Sequence, residues 1–113
     1  MDIKHKQINA TGIKLYIEQD DKEIARAFLY ILKNDSREQP FGFMEDVFVH
    51  ENYRGQGLAG ELIKKLIKVA KENNCYKIVG TSRHEREKVH RLYEKAGFKD
   101  FGVEFKMYLA KEK

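Results

Sequence analysis

From Ile13 to Ile17 the chain alternates, with Ile13, Leu15 and Ile17 on one side and Lys14 and Tyr16 on the other. Period two predicts a half-buried strand. Ile3 to Ile8 reads as a weaker strand before it. Lys22 to Lys33 fits two patterns. Ile24, Ala27, Phe28, Ile31 and Leu32 make a helical stripe, whereas the dense block Phe28-Leu29-Tyr30-Ile31-Leu32 after a short turn suits a buried strand of a hairpin. Phe41 to Val49, ending in Val47-Phe48-Val49, predicts a strand. Gly57 to Glu72 predicts an amphipathic helix: Leu58, Leu62, Leu66 and Ala70 line one side, with Ala59, Ile63 and Ile67 beside them and Lys64, Lys65, Lys68 and Lys71 opposite. Tyr76 to Thr81 is a short strand. Glu85 to Ala96 is a second helix with Val89, Leu92, Tyr93 and Ala96 on one face, and Gly97 stands where a helix C′ residue is expected. Val103, Phe105, Met107 and Leu109 alternate as a closing strand.

Turn residues separate these elements: Asp20-Asp21, the run from Asn34 to Pro40, and Asn73-Asn74 as a helix stop. Strands come first and an alternating section follows, which predicts an α+β (α/β) fold over a single domain, residues 1–113.

Composition narrows the chemistry. Lys and Arg number 22 against 18 Asp and Glu, a net charge of +4, which permits an anionic ligand without pointing to nucleic acid. The aromatic residues fall mostly on apolar faces, so a basic nucleic-acid binder is a minor alternative. Cys75 is the single cysteine, which rules out an intrachain disulfide framework, and His5, His50, His84 and His90 show no zinc-ligand spacing, so no metal is expected. No apolar run approaches the roughly 20 residues of a membrane span, and the opening Met1-Asp2-Ile3-Lys4-His5-Lys6 has no apolar signal core. The expectation is a cytoplasmic protein with no membrane partner.

The sharpest local feature is Arg54-Gly55-Gln56-Gly57-Leu58-Ala59-Gly60, between a predicted strand and a predicted helix. A helix N-terminus offers unpaired N–H groups and positive dipole, and glycine lets a backbone approach an anion closely. Gly55-x-Gly57-x-x-Gly60 matches the dinucleotide fingerprint. That fingerprint also wants an acid near the end of the next strand, and here the strand ends in Gly80-Thr81-Ser82. The glycine spacing also suits a P-loop, but Glu61-Leu62 replaces its Lys-Ser/Thr. A solvated turn capping a core helix is the plain alternative.

The run Val47 to Ala59 resembles the acyl-CoA loop of the GNAT (GCN5-related N-acetyltransferase) family. Arg54, Gly57 and Ala59 stand at its Arg/Gln-x-x-Gly-x-Gly/Ala positions. Leu92-Tyr93-Glu94-Lys95-Ala96-Gly97-Phe98 resembles the family's second signature, and the spacing between the two is also the family's. The resemblance spans roughly Ile13 to Leu109. It tips Lys22 to Lys33 to strand and implies a mixed, mostly antiparallel sheet, splayed at the cofactor strand, with two main helices.

It further implies acetyl transfer from acetyl-CoA to a primary amine. The backbone of Phe48 and Val49 would hold the pantetheine arm. The amides of Gly55, Gln56, Gly57, Leu58 and Ala59 would hold the pyrophosphate, with Arg54 beside them. Tyr93 would protonate the leaving thiolate; its plain alternative is a core tyrosine. Glu45 and Asp46 are candidates for the amine-deprotonating group, Glu45 preferred; adjacent strand residues face opposite sides, so at most one is expected in the cleft. His84 and His90 are rivals. Many relatives carry Asn at the place of Arg86, where it contacts cofactor; Ser82 is the substitute contact. Arg83, Lys88 and Arg91 could add phosphate contacts or form a solvated face. Typical members insert two helices between their first and second strands to wall the acceptor pocket, and Ile8 to Ile13 leaves no room for them. These N-terminal helices are therefore expected to be absent, and a homodimer is expected to complete the acceptor site. A non-catalytic acyl-CoA-binding module is the other reading. Met44-Glu45-Asp46-Val47 with Cys75-Tyr76-Lys77-Ile78 is similar to the glucosamine-phosphate branch of the family, a pointer to small amines.

Overall fold

The structure, a computed structural model, describes residues 1–82 and 87–110. After Gly80 the chain passes from one compact unit to a second, and each is described by itself.

The first unit is built on strands β1 (Ala10–Gln19), β2 (Lys22–Leu32), β3 (Phe41–Val49) and β4 (Ile78–Gly80), in sheet order β1-β2-β3-β4. The β1–β2 and β2–β3 pairs are antiparallel and β3–β4 is parallel. A parallel pair needs a crossover, and helix α1 (Leu58–Glu72) supplies it. The β1–β2 connection is Asp20-Asp21, with φ of 53° and 62°. Two consecutive left-handed residues make the hairpin turn whose twist suits antiparallel strands, and Asp tolerates that geometry.

The two-way pattern at Lys22–Leu32 resolves as strand. Ala25, Ala27 and Leu29 are buried, while Arg26, Phe28 and Tyr30 between them are half-buried. Ile13 pairs with Leu29, Leu15 with Ala27 and Ile17 with Ala25, so one sheet face is apolar. α1 lays Leu62, Ile63, Leu66 and Ala70 on that face, and Leu29, Met44, Ile63 and Leu66 form the fully buried centre. The small Ala25 and Ala27 let the helix sit close. α1 ends as the sequence predicts. Asn74 has φ 61°, Cys75 N–H donates to Ala70 O at 3.0 Å and Asn74 N–H to Lys71 O at 3.0 Å, a Schellman closure.

The second unit carries α2 (Glu87–Lys95) and the segment to residue 110. The predicted start of α2 at Glu85 lies outside the described residues. Its end is again a Schellman motif. Gly97 has φ 108°, its N–H donates to Glu94 O, and Phe98 N–H donates to Tyr93 O, both at 3.0 Å.

Two predicted strands do not form. Residues 1–9 carry no regular structure, with Ile3 and Ile8 exposed, so β1 is the first strand. Val103–Leu109 forms no ladder either, and Phe101, Phe105 and Leu109 are each more than 90% exposed. Alternation marks a segment that suits a sheet, but a strand exists only through a paired neighbour, which neither segment has. Tyr76–Thr81 shortens to Ile78–Gly80 for the same reason. No helix lies between β1 and β2 or, among the described residues, before β1.

Candidate acyl-donor site

β3 and β4 pair only at Gly42↔Ile78, Phe43↔Val79 and Met44↔Gly80. From Glu45 to Val49, β3 continues with β2 on one side and, among the described residues, no paired strand on the other. Beyond Met44, β3 therefore has an edge that β4 does not pair. This edge coincides with a change in β3 itself. Phe28 pairs with Glu45 and Arg26 with Phe48, so Asp46 and Val47 together oppose Ala27. This is a β-bulge, and Asp46 sits in it with φ 49°.

The bulge resets the alternation. Paired residues share a sheet face, so Glu45 and Phe48 both lie on the face of Arg26 and Phe28. The Asp46 carboxylate reaches the same face, accepting from Arg26 Nε at 2.8 Å and Nη2 at 3.4 Å. Glu45 and Asp46 are both exposed. The expectation that only one of the pair can serve the cleft fails, because strict alternation stops at Asp46. The two are nonetheless unlike. Asp46 is committed to Arg26, and its hydrogen bond is the first cause that raises the Arg26 pKa. Glu45 makes no side-chain hydrogen bond or ion pair among the described residues.

His50 N–H donates back to Ile24 O at 2.7 Å, toward β2. By strand alternation the backbone of Val49 faces the open side and that of Phe48 faces Arg26 on β2, so of the two expected backbone contacts only Val49 is open to an arm. The Val49 carbonyl there accepts from Arg54 Nε at 2.9 Å. A short 3-10 turn, Glu51–Tyr53, carries the chain from β3 to Arg54. Gly55 and Gly57 follow with φ of 82° and 79°, and an added Cβ at either would meet nothing within 4 Å. Glycine is needed here for backbone conformation, not for space. Gly57 is the N-cap of α1 and supplies no side-chain cap. The first amides of the helix, at Leu58, Ala59 and Gly60, thus lack a side-chain acceptor, while Glu61 N–H already donates to Gly57 O at 3.1 Å.

One continuous strand–loop–helix passage in the first unit thus brings together Glu45, Asp46, Phe48, Val49 and Arg54 through Ala59. Ser82 and Tyr93 belong to the second unit. The Ser82 hydroxyl is buried and has no hydrogen-bond partner among the described residues, a polar atom suited to a ligand contact. The Tyr93 ring packs on Phe98 with centroids 5.7 Å apart. Arg86, Arg83 and His84 lie outside the described residues. His90 lies on α2. Burial raises the Cys75 thiol, in keeping with its reading as a small packed residue. No cluster of His, Cys, Asp or Glu suited to a metal occurs among the described residues, and among them no helix is long and apolar enough to cross a membrane.

Sequence reasoning missed Arg26. Its guanidinium lies 4.6 Å from the Phe48 ring centroid, and that of Arg54 lies 5.7 Å from the same ring. No local signal marks Arg26, because its partner is twenty residues away.

The model of the acetyltransferase (GNAT) family matches residues 2–98. The chain belongs to the GNAT acetyltransferase family. Among its relatives, it is 33% identical over 103 residues to glucosamine 6-phosphate N-acetyltransferase 1 of Dictyostelium discoideum, covering 90% of this chain and 60% of that one. It is 41% identical over 63 residues to glucosamine 6-phosphate N-acetyltransferase of Candida albicans, covering 56% of this chain and 40% of the other. The solved structure of glucosamine-6-phosphate N-acetyltransferase from Arabidopsis thaliana superposes with a TM-score of 0.78 at 25% identity, covering 88% of this chain and 67% of that chain. This GNAT chain thus spans about 40% to 60% of the length of these two curated relatives.

Proposed function

We propose that the protein transfers the acetyl group of acetyl-CoA to a primary amine. The observation that carries this reading is the open β3 edge from Glu45 to Val49, which leads directly to an α1 N-terminus with no side-chain cap. The donor set suits the co-substrate. Uncapped amides at Leu58 and Ala59, with Gly55 and Gly57 bending the loop, suit phosphate oxygens. The outward backbone of Val49 suits an amide-bearing arm laid beside the strand. Acetyl-CoA brings the activated thioester.

In the proposed reaction the amine nitrogen attacks the thioester carbonyl, the carbon–sulfur bond breaks, and the amine loses a proton while the thiolate gains one. Glu45 is the assigned acceptor of the amine proton, directly or through water, because its carboxylate is uncommitted whereas Asp46 is held by Arg26. Tyr93 is the assigned donor to sulfur, carried over from the motif match. The relatives' names are the reason to try amino-sugar phosphates first as acceptors; polyamines and peptide amines complete the panel.

The test is a thiol-release assay with acetyl-CoA over that amine panel, with calorimetric titration of CoA. Release that depends on one amine is the expected result. CoA binding without release on any amine would support the other reading, an acyl-CoA-binding module. That second reading is favoured by one observation: the described residues before β1 carry no helix to wall an acceptor pocket. We further propose a homodimer. Its support is the exposed alternating segment Phe101, Val103, Phe105, Met107 and Leu109. A monomer mass by light scattering at working concentration would defeat it.

A further inference from the structure

We propose that Arg26 is a positioning residue for the acyl-donor site: it clamps the Asp46 bulge and so sets the open edge of β3. The inference rests on the acetyl-CoA reading of that edge. A non-glycine residue at φ 49° is unfavourable on its own, and Asp is among the few that tolerate it. Something must hold it there.

Arg26 is in place to do so in two ways. Its guanidinium grips the Asp46 carboxylate through Nε at 2.8 Å and Nη2 at 3.4 Å. The same plane lies 4.6 Å from the ring of Phe48, its cross-strand partner. Arg26 thus holds the residue inside the bulge and the residue just beyond it. Glu23 steadies the guanidinium from behind, with Nη1 to Oε2 at 3.6 Å. The rigid fork of arginine matters, since an ammonium cannot span a carboxylate and cover a ring together.

The consequence follows from register. The bulge at Asp46 and Val47 follows the end of the β3–β4 ladder at Met44, and it decides which backbone groups of Val47 to Val49 face the opening. Without it, Phe48 would rotate to the other face and the outward groups of Val49 would turn toward β2. Arg26 touches none of the uncapped helix amides, so its effect passes through Asp46 and Phe48.

The experiment uses the full chain with CoA as the probe. Arg26→Met removes the clamp; Arg26→Lys keeps the charge without the fork. Titration of CoA is read beside the backbone chemical shifts of Asp46, which report a left-handed or an extended residue. We expect Arg26→Met to weaken CoA by about tenfold or more and to move Asp46 toward extended shifts, with Arg26→Lys in between. We then expect Arg26→Met combined with Asp46→Gly to restore affinity to within about threefold of the parent, because glycine holds the bulge geometry unaided. A direct phosphate contact by Arg26, or a general loss of folding, would not be rescued in this way, so failure of the glycine rescue overturns the proposal. So does an Arg26→Met protein with parental affinity and parental Asp46 shifts. A parent protein that binds no CoA defeats the acetyl-CoA reading instead. The shifts then decide the clamp alone: displaced in Arg26→Met they uphold it, unchanged they overturn it.

Discussion

The ring of Tyr93 packs against that of Phe98, 5.7 Å between centroids, while the Phe98 N–H donates to the Tyr93 carbonyl at 3.0 Å. Both contacts belong to the closure of α2, in which a hydrophobic pair spans the left-handed Gly97. The ring of Tyr93 thus has a structural duty in this closure, and the proposed chemistry belongs to its hydroxyl. Tyr93→Phe should keep CoA affinity near parental and lower turnover by about tenfold or more. Tyr93→Ala should in addition lose about 1–2 kcal/mol of stability, as expected for a half-buried aromatic. Thermal melts, CoA titration and initial rates on the three proteins check this. Parental turnover in Tyr93→Phe would remove the hydroxyl from the mechanism.

Glu45 and Asp46 are neighbours with separate expected phenotypes. Glu45→Gln removes an uncommitted carboxylate, so turnover should fall by about 10²-fold with acetyl-CoA affinity kept. Asp46→Asn removes an acceptor that Arg26 uses, so its effect should appear first as weaker acetyl-CoA binding. Steady-state kinetics that separate kcat from KM distinguish the two. A Glu45→Gln enzyme with unchanged kcat would require another base.

On the same sheet face Lys14 makes a close ion pair with Glu23, which also meets Arg26. The Lys14 hydrogen bond holds the Glu23 carboxyl below its ordinary value. A carboxylate depressed in the folded state stabilises above its unfolded pKa, about 4.3, and that contribution is lost as pH falls through the lower folded value. Glu23→Gln should therefore lower the melting temperature slightly at neutral pH. The difference should close as the acid range is entered, and added salt should shrink it, because the pair is exposed. Melts of both proteins between neutral and acid pH are the check; a difference that grows toward acid would reverse the assigned sign.

What was legible in the sequence was local. The stripe of Leu62, Leu66 and Ala70 specifies which side of α1 is buried. Asp20-Asp21, Asn74 and Gly97 stand at backbone positions that tolerate left-handed φ, and each marks a turn or helix end. The loop from Arg54 to Ala59 is also a local signal, since its glycines are needed for their own dihedral angles. The bulge was not legible, because an extra residue at Asp46 is defined only by the register against Ala27 on another strand. Lys22–Leu32 is ambiguous by pattern alone, and only the family resemblance tips it to strand, for a related reason: Ala25, Ala27 and Leu29 take their burial from the helix that packs on them. Val103–Leu109 shows the converse, a strand pattern that local sequence supplies in full and that forms no ladder.

Gly57 allows stability and binding to be separated at one position. Its φ of 79° is left-handed, and an added Cβ would meet nothing within 4 Å, so Gly57→Ala is strained by conformation alone. The expected cost is about 1–2 kcal/mol, with weaker CoA binding as the loop shifts. Gly57→Asn should differ. Asparagine tolerates the left-handed region and is a strong N-cap, so its side chain can accept from the amides that Gly57 leaves uncapped. That should recover most of the stability. It should also remove the donors assigned to the pyrophosphate, so CoA affinity should fall by about tenfold or more while the helix is as stable as in the parent. Melting temperature and CoA titration on the two variants read the opposition directly. An asparagine variant that is stable and still binds CoA at parental strength would show that the amides of Leu58 and Ala59 do not hold the phosphates.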